Sequence, residues 1–267
     1  MSKEFEAKFL DIDKTEIRKK LKEIGATLVH QKKKYLRIVF HRCSDDIKGF
    51  ARIRNEGDKI TMTVKLYKDP KYPEEYEVEI KDGFEQGANF LRSLGLKEKA
   101  FQESYREKYS HPLAHEITID DVPGIPSYME IDCTGEDNLN KLIDMLNLDK
   151  SKMRFGAFDA QYEEYYGISK NIINDKTPSL TFKNIKNEIN PTKNMDLLEK
   201  IIESYETPSM ARNKLTNSES RIMKRIKKSF KKASRKASRK ASRKASRKAS
   251  RKASRKISRK TSRKGSK

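Results

Sequence analysis

Charged and polar residues in the first 132 positions recur at two-residue spacing. Glu4, Glu6 and Lys8 stand in one run, Arg52 and Arg54 in a second, and Thr61, Thr63 and Lys65 in a third. Glu75, Glu77 and Glu79 follow, then Arg106 and Lys108, then Glu130 and Asp132. Spacing of two puts such residues on one face of a strand. Hard carboxylate oxygens suit Mg²⁺ or Mn²⁺, and guanidinium and ammonium groups suit phosphate oxygens. On any one strand, the pattern is that of a sheet with its charged side in water. Taken over all the strands, acids and bases alternate as though assembled into paired sites. If the sheet curls into a barrel, that face becomes an interior, where charges must pair or bind a ligand. The guest such a lumen suits is a polyanion escorted by divalent cations.

The elements that must position these residues are mostly strands. "FARIRNEGDKITMTVKLY" is a hairpin with Gly57-Asp58 in its turn, and "EEYEVEI", "SYREKY", "HEITIDD" and "YMEID" alternate likewise. The opposite face is largely apolar, with Ile53, Met62, Val64, Tyr76, Val78, Ile80, Met129 and Ile131, and helices are expected to cover it. Helical spacing appears at Ile17, Leu21 and Ile24, at Phe84, Phe90, Leu91 and Leu94, and at Leu139, Leu142, Ile143 and Leu146. The expected class is α+β, a large antiparallel sheet or barrel with flanking helices.

The net charge of +22 over 267 residues is concentrated at one end. From Ser220 onward there are 24 Lys or Arg and no acid, so the first 219 residues carry 37 bases against 39 acids. From Ala233 the chain repeats as six ASRK units followed by ISRK, TSRK and GSK. Such a segment buries too little apolar surface to offset its ordering entropy, so residues 220–267 are expected to be a disordered basic tail. Its partners by charge are nucleic acid first, then an anionic membrane or an acidic protein; a solubilising extension is the alternative. Serines from Ser238 to Ser262 lie in a basophilic-kinase context, and one phosphate per unit nearly cancels its two positive charges. Residues 169–219, rich in Asn, Lys and Thr at their start, read as a linker with a short helix around Met195 to Ser204, and a second helix is expected around Asn217 to Lys232. Cys43 and Cys133 form no CxxC pair and read as reduced thiols. The chain has no apolar run of membrane-span length and no signal-peptide pattern, which points to an intracellular, cytoplasmic protein; so basic a tail is also compatible with nuclear delivery.

Glu4-x-Glu6-x-Lys8, Arg52-Ile-Arg54, Thr63-Val-Lys65, Glu75-x-Glu77, Arg106 and "ITIDDVPGIPSYMEID", in that order, resemble the CYTH group of triphosphate tunnel metalloenzymes. "RFGAFDAQYEEYYGI" is similar to the closing helix of its class IV adenylyl-cyclase-like members, and the likeness spans residues 1–168. The resemblance implies an eight-stranded antiparallel tunnel requiring Mg²⁺ or Mn²⁺. Carried over by position, Glu4, Glu6, Asp120, Glu130 and Asp132 correspond to metal ligands. Lys8, Arg37, Arg52, Arg54, Lys65 and Arg106 correspond to phosphate ligands. Glu4, Glu6, Lys8 and Lys65 form the catalytic group, and Glu75 and Glu77 orient the bases or bind a second metal. Ser104 and Tyr105 stand where the family commonly continues a basic cluster, and Asp132 where Glu is more usual. The implied activity is hydrolysis of the terminal phosphate of inorganic triphosphate, a nucleoside triphosphate or an RNA 5′-triphosphate, with nucleic acid held by the tail. The alternatives are an adenylyl cyclase of the same fold and a non-catalytic nucleic-acid-binding protein with a polyphosphate-sensing tunnel.

Overall fold

Two-residue alternation becomes strand, and 3.6-residue spacing becomes helix, in the order expected. The computed structural model describes residues 2–3, 5–42, 46–69, 72–81 and 83–205, with helical residues at 221–228, 231–232 and 235. Glu4, Cys43 and nearly all of the SRK repeat lie outside the described residues.

The strands are β1 (Ser2–Lys3), β2 (Phe5–Phe9), β3 (Thr27–His41), β4 (Gly49–Asn55), β5 (Ile60–Leu66), β6 (Glu74–Ile80), β7 (Lys97–His111), β8 (Ala114–Asp121), β9 (Tyr128–Cys133), β10 (Met153–Arg154) and β11 (Ser179–Leu180). They form one sheet in the order β1-β6-β5-β4-β3-β7-β8-β9-β2-β10, with β11 added parallel to β7. The other pairings are antiparallel. At the N-terminus the chain touches both ends of this path: Ser2 pairs with Glu75 of β6, and Phe5 pairs with Cys133 of β9. The sheet therefore curls, with β1 against β6 and the following β2 against β9, and its concave face becomes a lumen. The hairpin between β4 and β5 turns at Gly57, whose φ of +95° is accessible chiefly to glycine.

The helices are α1 (Lys14–Glu23), α2 (Phe84–Ser93), α3 (Glu136–Met145), α4 (Asp159–Tyr166), α5 (Lys170–Asp175), α6 (Ile185–Glu188) and α7 (Met195–Tyr205). Asp13 caps α1 by accepting from the Thr15 and Glu16 amides at 2.7 and 3.0 Å. Ile17 and Leu21 of α1 join Leu139, Leu142 and Ile143 of α3 over Ala7, Phe9, Ile117, Met129 and Ile131. Leu142 is fully buried there, and truncation to Ala would cost about 2–5 kcal/mol.

Helical cover is uneven, contrary to the expectation of a helix-covered outer face. Val64, Tyr76 and Val78 of β5 and β6 remain exposed. The linker reading of 169–205 is also corrected. Ile173, Leu180, Ile185, Ile189 and Leu198 are buried in a second core with Val122, Ile125, Tyr162 and Tyr166. Low periodicity concealed this segment because its apolar residues are spread over short elements that dock one at a time. The anchor is the 123–126 PGIP turn: Tyr162 and Tyr166 donate to the carbonyls of Pro123 and Gly124, and the Gly124 amide donates to the Tyr205 hydroxyl at 2.8 Å. Gly124 has φ +75°, and a Cβ there would meet Ile185 and Leu198 at 3.0–3.1 Å. Helix α7 matches the expected span closely. Residues 221–228 are helical within the second expected span, whose remainder is only partly described. Among the described residues no helix is long and apolar enough to cross a membrane.

Candidate active site in the barrel lumen

Register decides which charges meet. On one wall, Glu6 of β2 lies opposite Asp132 of β9, which in turn lies opposite Glu116 of β8. The next row runs from Lys8 through Glu130 and Thr118 to Lys108. The row beyond pairs Asp120 with Arg106. Further along the same sheet Gln102, Arg37, Arg54 and Thr61 form a row, and Arg52, Thr63 and Glu77 form another. A cavity of about 470 Å³ lies among these rows. Among the described residues, eight basic and seven acidic side chains line it, so the lumen is nearly neutral overall.

Most of these charges are already engaged. Lys8 contacts Glu6 and lies 3.0 Å from Glu130. Lys65 reaches Glu6 at 3.4 Å and Glu75 at 3.3 Å. Arg52 meets Glu75 at 3.0 Å and Glu77 at 3.5 Å, and Arg54 meets Glu56 at 2.6 Å and Glu77 at 3.5 Å. Arg106 holds Asp120 through two parallel bonds of 2.8 Å, and reaches Glu116 at 2.9 Å and Glu130 at 3.3 Å. Burial alone would lower the Lys8 and Arg106 pKa values, but the surrounding carboxylates outweigh it and hold both above their ordinary range. Conversely, Lys8 and Arg106 overcome burial to keep the Glu130 carboxyl far below its usual range.

Asp132 is the exception on the acid wall. Its Oδ1 is buried with no hydrogen-bond partner. Burial, together with Glu6, Glu116 and Glu130 nearby, pushes its carboxyl up to about 7. An orphaned carboxylate oxygen between two other carboxylates is a donor set that fits a hard divalent cation. No three His, Cys, Asp or Glu side chains among the described residues converge as a coordination group, and Glu6 and Glu130 hold lysines.

Arg37 of β3 is the exception among the bases. Nε donates to Gln102 Oε1 at 2.8 Å and the guanidinium stacks 4.8 Å from the Phe158 ring centre, with no carboxylate within ion-pair distance among the described residues. Burial and the like charges of Arg52, Arg54 and Arg106 bring its pKa down to about 10.

The residues singled out from the sequence are thus sorted. Glu6, Lys8, Arg37, Arg52, Arg54, Lys65, Glu75, Glu77, Arg106, Glu130 and Asp132 all line the one cavity. Asp120 lies behind it with both oxygens taken by Arg106, one of them also accepting from Thr118 at 2.7 Å. Ser104 shares the lumen-facing parity of Gln102 and Arg106, whereas Tyr105 packs outside against Phe182 at 4.9 Å. Glu116 was missed, although its alternation with Thr118 and Asp120 in "HEITIDD" was the available signal. Lys99 and the α4–α5 residues Phe158, Asp159, Ile173 and Asn174 also line the cavity, and no sequence period indicates them.

Residues 2–153 match the family model of the CYTH domain. A conserved hypothetical protein from Pyrococcus furiosus is 21% identical, with a TM-score of 0.50 over 58% of this chain and 97% of its own. PH1012 from Pyrococcus horikoshii is 18% identical, with a TM-score of 0.50 over 58% of this chain and 96% of its own. A Vibrio parahaemolyticus structure named "putative adenylate cyclase" is 12% identical, with a TM-score of 0.51 over 60% and 97%. These likenesses show the fold. No curated protein matches. CYTH triphosphate tunnel enzymes are generally metal-dependent, and the family includes triphosphatases and adenylyl-cyclase-like enzymes.

Proposed function

Because the chain belongs to the CYTH domain family, we propose that it is a metal-dependent triphosphatase acting on inorganic triphosphate, a nucleoside triphosphate or an RNA 5′-triphosphate. The observation that carries this reading is the mutual neutralisation of acids and bases around the cavity, with Asp132 left over. A near-neutral lumen disfavours a bare anion with about four negative charges, but it can accept that anion with its cations. Phosphate oxygens take Lys8, Lys65, Arg52, Arg54 and Arg106 from their carboxylate partners. The carboxylates so released, Glu6 and Glu130, join Asp132 as ligands for Mg²⁺ or Mn²⁺, with Glu4 a further candidate. The bound metal supplies Lewis-acid charge at the phosphoryl oxygens and lowers the pKa of water.

The chain's own part is positioning. Glu75 and Glu77 hold Arg52, Arg54 and Lys65 at the lumen, so these bases are pointed at it rather than searching for it. Asp120 and Thr118 do the same for Arg106. Water then attacks the terminal phosphorus, loses a proton to the acid wall, and the bridging P–O bond breaks with its electron pair leaving on the diphosphate. The basic tail would raise the local concentration of RNA 5′ ends at the lumen if nucleic acid is its partner.

The test is phosphate release and cyclic AMP formation with Mg²⁺ or Mn²⁺, using tripolyphosphate, ATP, thiamine triphosphate and triphosphate-ended RNA. Terminal phosphate release, reduced on the order of 10²–10³-fold in Glu6→Gln, is expected. Full activity in that variant would remove the mechanism, and pyrophosphate with cyclic AMP from ATP would make the chain a cyclase. Removal of residues 220–267 should spare tripolyphosphate hydrolysis and weaken RNA retention.

A further inference from the structure

The chain divides into two units, Met1–Met223 and Lys224–Lys267, which balance charge differently. The first carries 38 bases against 39 acids, and the bases of its lumen meet carboxylates. The second carries 23 bases and no acid, so only a ligand or a covalent change can bring negative charge to it. Its first bases, Lys224, Lys228, Lys231, Lys232 and Arg235, stand on helical residues and are exposed. Beyond them serine recurs at every fourth residue from Ser234 to Ser266. Where the repeat departs from ASRK, the change falls on the alanine: Ile257, Thr261 and Gly265 replace it, while Ser258, Ser262 and Ser266 stay. A solubilising extension or a plain phosphate binder needs the bases but not a hydroxyl at a fixed offset from them. Each serine from Ser238 to Ser262 has Arg three residues before it and Lys two before it, as in Arg235-Lys236-Ala237-Ser238. That spacing suits a kinase with an acidic substrate groove, which pairs both cations while the hydroxyl reaches the phosphoryl donor.

We propose that the seven serines at four-residue spacing from Ser238 to Ser262 are phosphorylated by a basophilic protein kinase, and that this releases single-stranded RNA from the tail. The regulation acts on the tether. It rests on the reading of the tail as a nucleic-acid anchor and not on the chemistry of the lumen. In each transfer the serine Oγ bonds to the γ-phosphorus of ATP. The bond from that phosphorus to the β–γ bridging oxygen breaks with its electron pair leaving on ADP, and the hydroxyl proton passes to the kinase's base. A phosphate adds about −1.5 to −2 at neutral pH, against the two positive charges of the Arg-Lys pair in its unit. Each modified unit is then close to neutral. Contacts to single-stranded RNA release condensed counterions, and each contributes about 0.7 to the slope of log affinity against log salt. Loss of two contacts per unit removes up to about 1.4 from that slope per phosphoserine. Release is therefore graded with the number of serines modified. RNA is favoured over a bilayer because the repeat holds no aromatic residue or leucine to enter the apolar region.

The test treats the full chain with excess ATP, Mg²⁺ and the catalytic subunit of a cyclic-AMP-dependent protein kinase, then exchanges the buffer and titrates a fluorescent single-stranded RNA between about 50 and 200 mM salt. Mass spectrometry should place phosphate on Ser238 to Ser262. Affinity near the middle of that salt range should fall on the order of 10²-fold, with a flatter salt slope for each phosphate added. A variant carrying Ser238→Ala and the six equivalent changes through Ser262→Ala should keep wild-type affinity after the same treatment. No phosphate on these serines would overturn the modification site. An unchanged slope in the phosphorylated chain, or an equal loss of affinity in the alanine variant, would overturn release by charge. Tripolyphosphate hydrolysis by the same samples should not change, and its loss on phosphorylation would place the tail in the site and overturn regulation at the tether. If the untreated chain holds phosphatidylserine vesicles but not RNA, the tether reading fails and the proposal with it, while the hydrolysis assay still judges the lumen.

Discussion

Arg106 of β7 and Arg37 of the adjacent strand β3 line one lumen, and their surroundings are opposite. Arg106 is held by Asp120, Glu116 and Glu130, so its charge is a structural component of the acid wall. Arg37 has an amide and an aromatic ring for company, and its charge is crowded by other arginines. The same residue type is thus neutralised by carboxylates at one place and, among the described residues, has none within ion-pair distance at the other. The contrast teaches that one cavity holds the same residue type in two electrostatic settings, one compensated by the protein's own carboxylates and one not.

The largest effect that would break this comparison is on stability. Arg106→Met should destabilise the metal-free protein by about 3–5 kcal/mol, because it leaves Asp120 buried and unpaired. Chemical denaturation checks it, and a loss below about 1 kcal/mol would mean that the acid wall does not depend on Arg106.

Asp132 sharpens the comparison through pH. Its carboxyl pKa is raised from an ordinary 3.8 to about 7, so between those values the folded chain keeps a proton that the unfolded chain has lost. Stability from this group therefore falls as pH rises, by up to about 1.4 kcal/mol per unit, and levels off above about pH 7. Unfolding of metal-free protein at pH 5, 6, 7 and 8 should show this slope in wild type relative to Asp132→Asn. Parallel curves for the two proteins would place Asp132 in an ordinary environment.

Smaller again is Thr118→Val, which removes the fully buried hydroxyl donating to Asp120. A cost of about 1–3 kcal/mol is expected, measured by the same denaturation, and it should vanish in the Arg106→Met background if the three groups act as one network. The smallest effect belongs to Arg37→Met. With no carboxylate left behind, its stability should stay within about 1 kcal/mol of wild type or rise, and a loss as large as that of Arg106→Met would make the two arginines equivalent.

Legibility from sequence followed the same division. Strand alternation identified Glu6, Lys8, Arg52, Arg54, Lys65, Glu130 and Asp132 as one face, because a period of two survives any folding of the sheet. It could not distinguish Asp120, whose parity matches the lumen but whose oxygens are consumed by Arg106 across the register. Nor could it find Lys99, since the bulge that turns it inward exists only in the pairing of β3 with β7. Residues 169–205 were misjudged for a related reason. Short elements with two or three apolar residues each show no period, yet they bury those residues once the PGIP turn and the three tyrosines supply a surface.

By itself the sequence determined the antiparallel strand set, the three principal flanking helices, the confinement of excess charge to the last 48 residues and the chemistry of one strand face. These are local properties, set by side-chain period and composition. Tertiary structure alone decided that this face encloses a cavity, which acids and bases neutralise each other across it, and which groups are left over. Those outcomes depend on register, on a bulge and on the pairing of β1 with β6 and of β2 with β9, and long-range pairing leaves no mark in the local pattern.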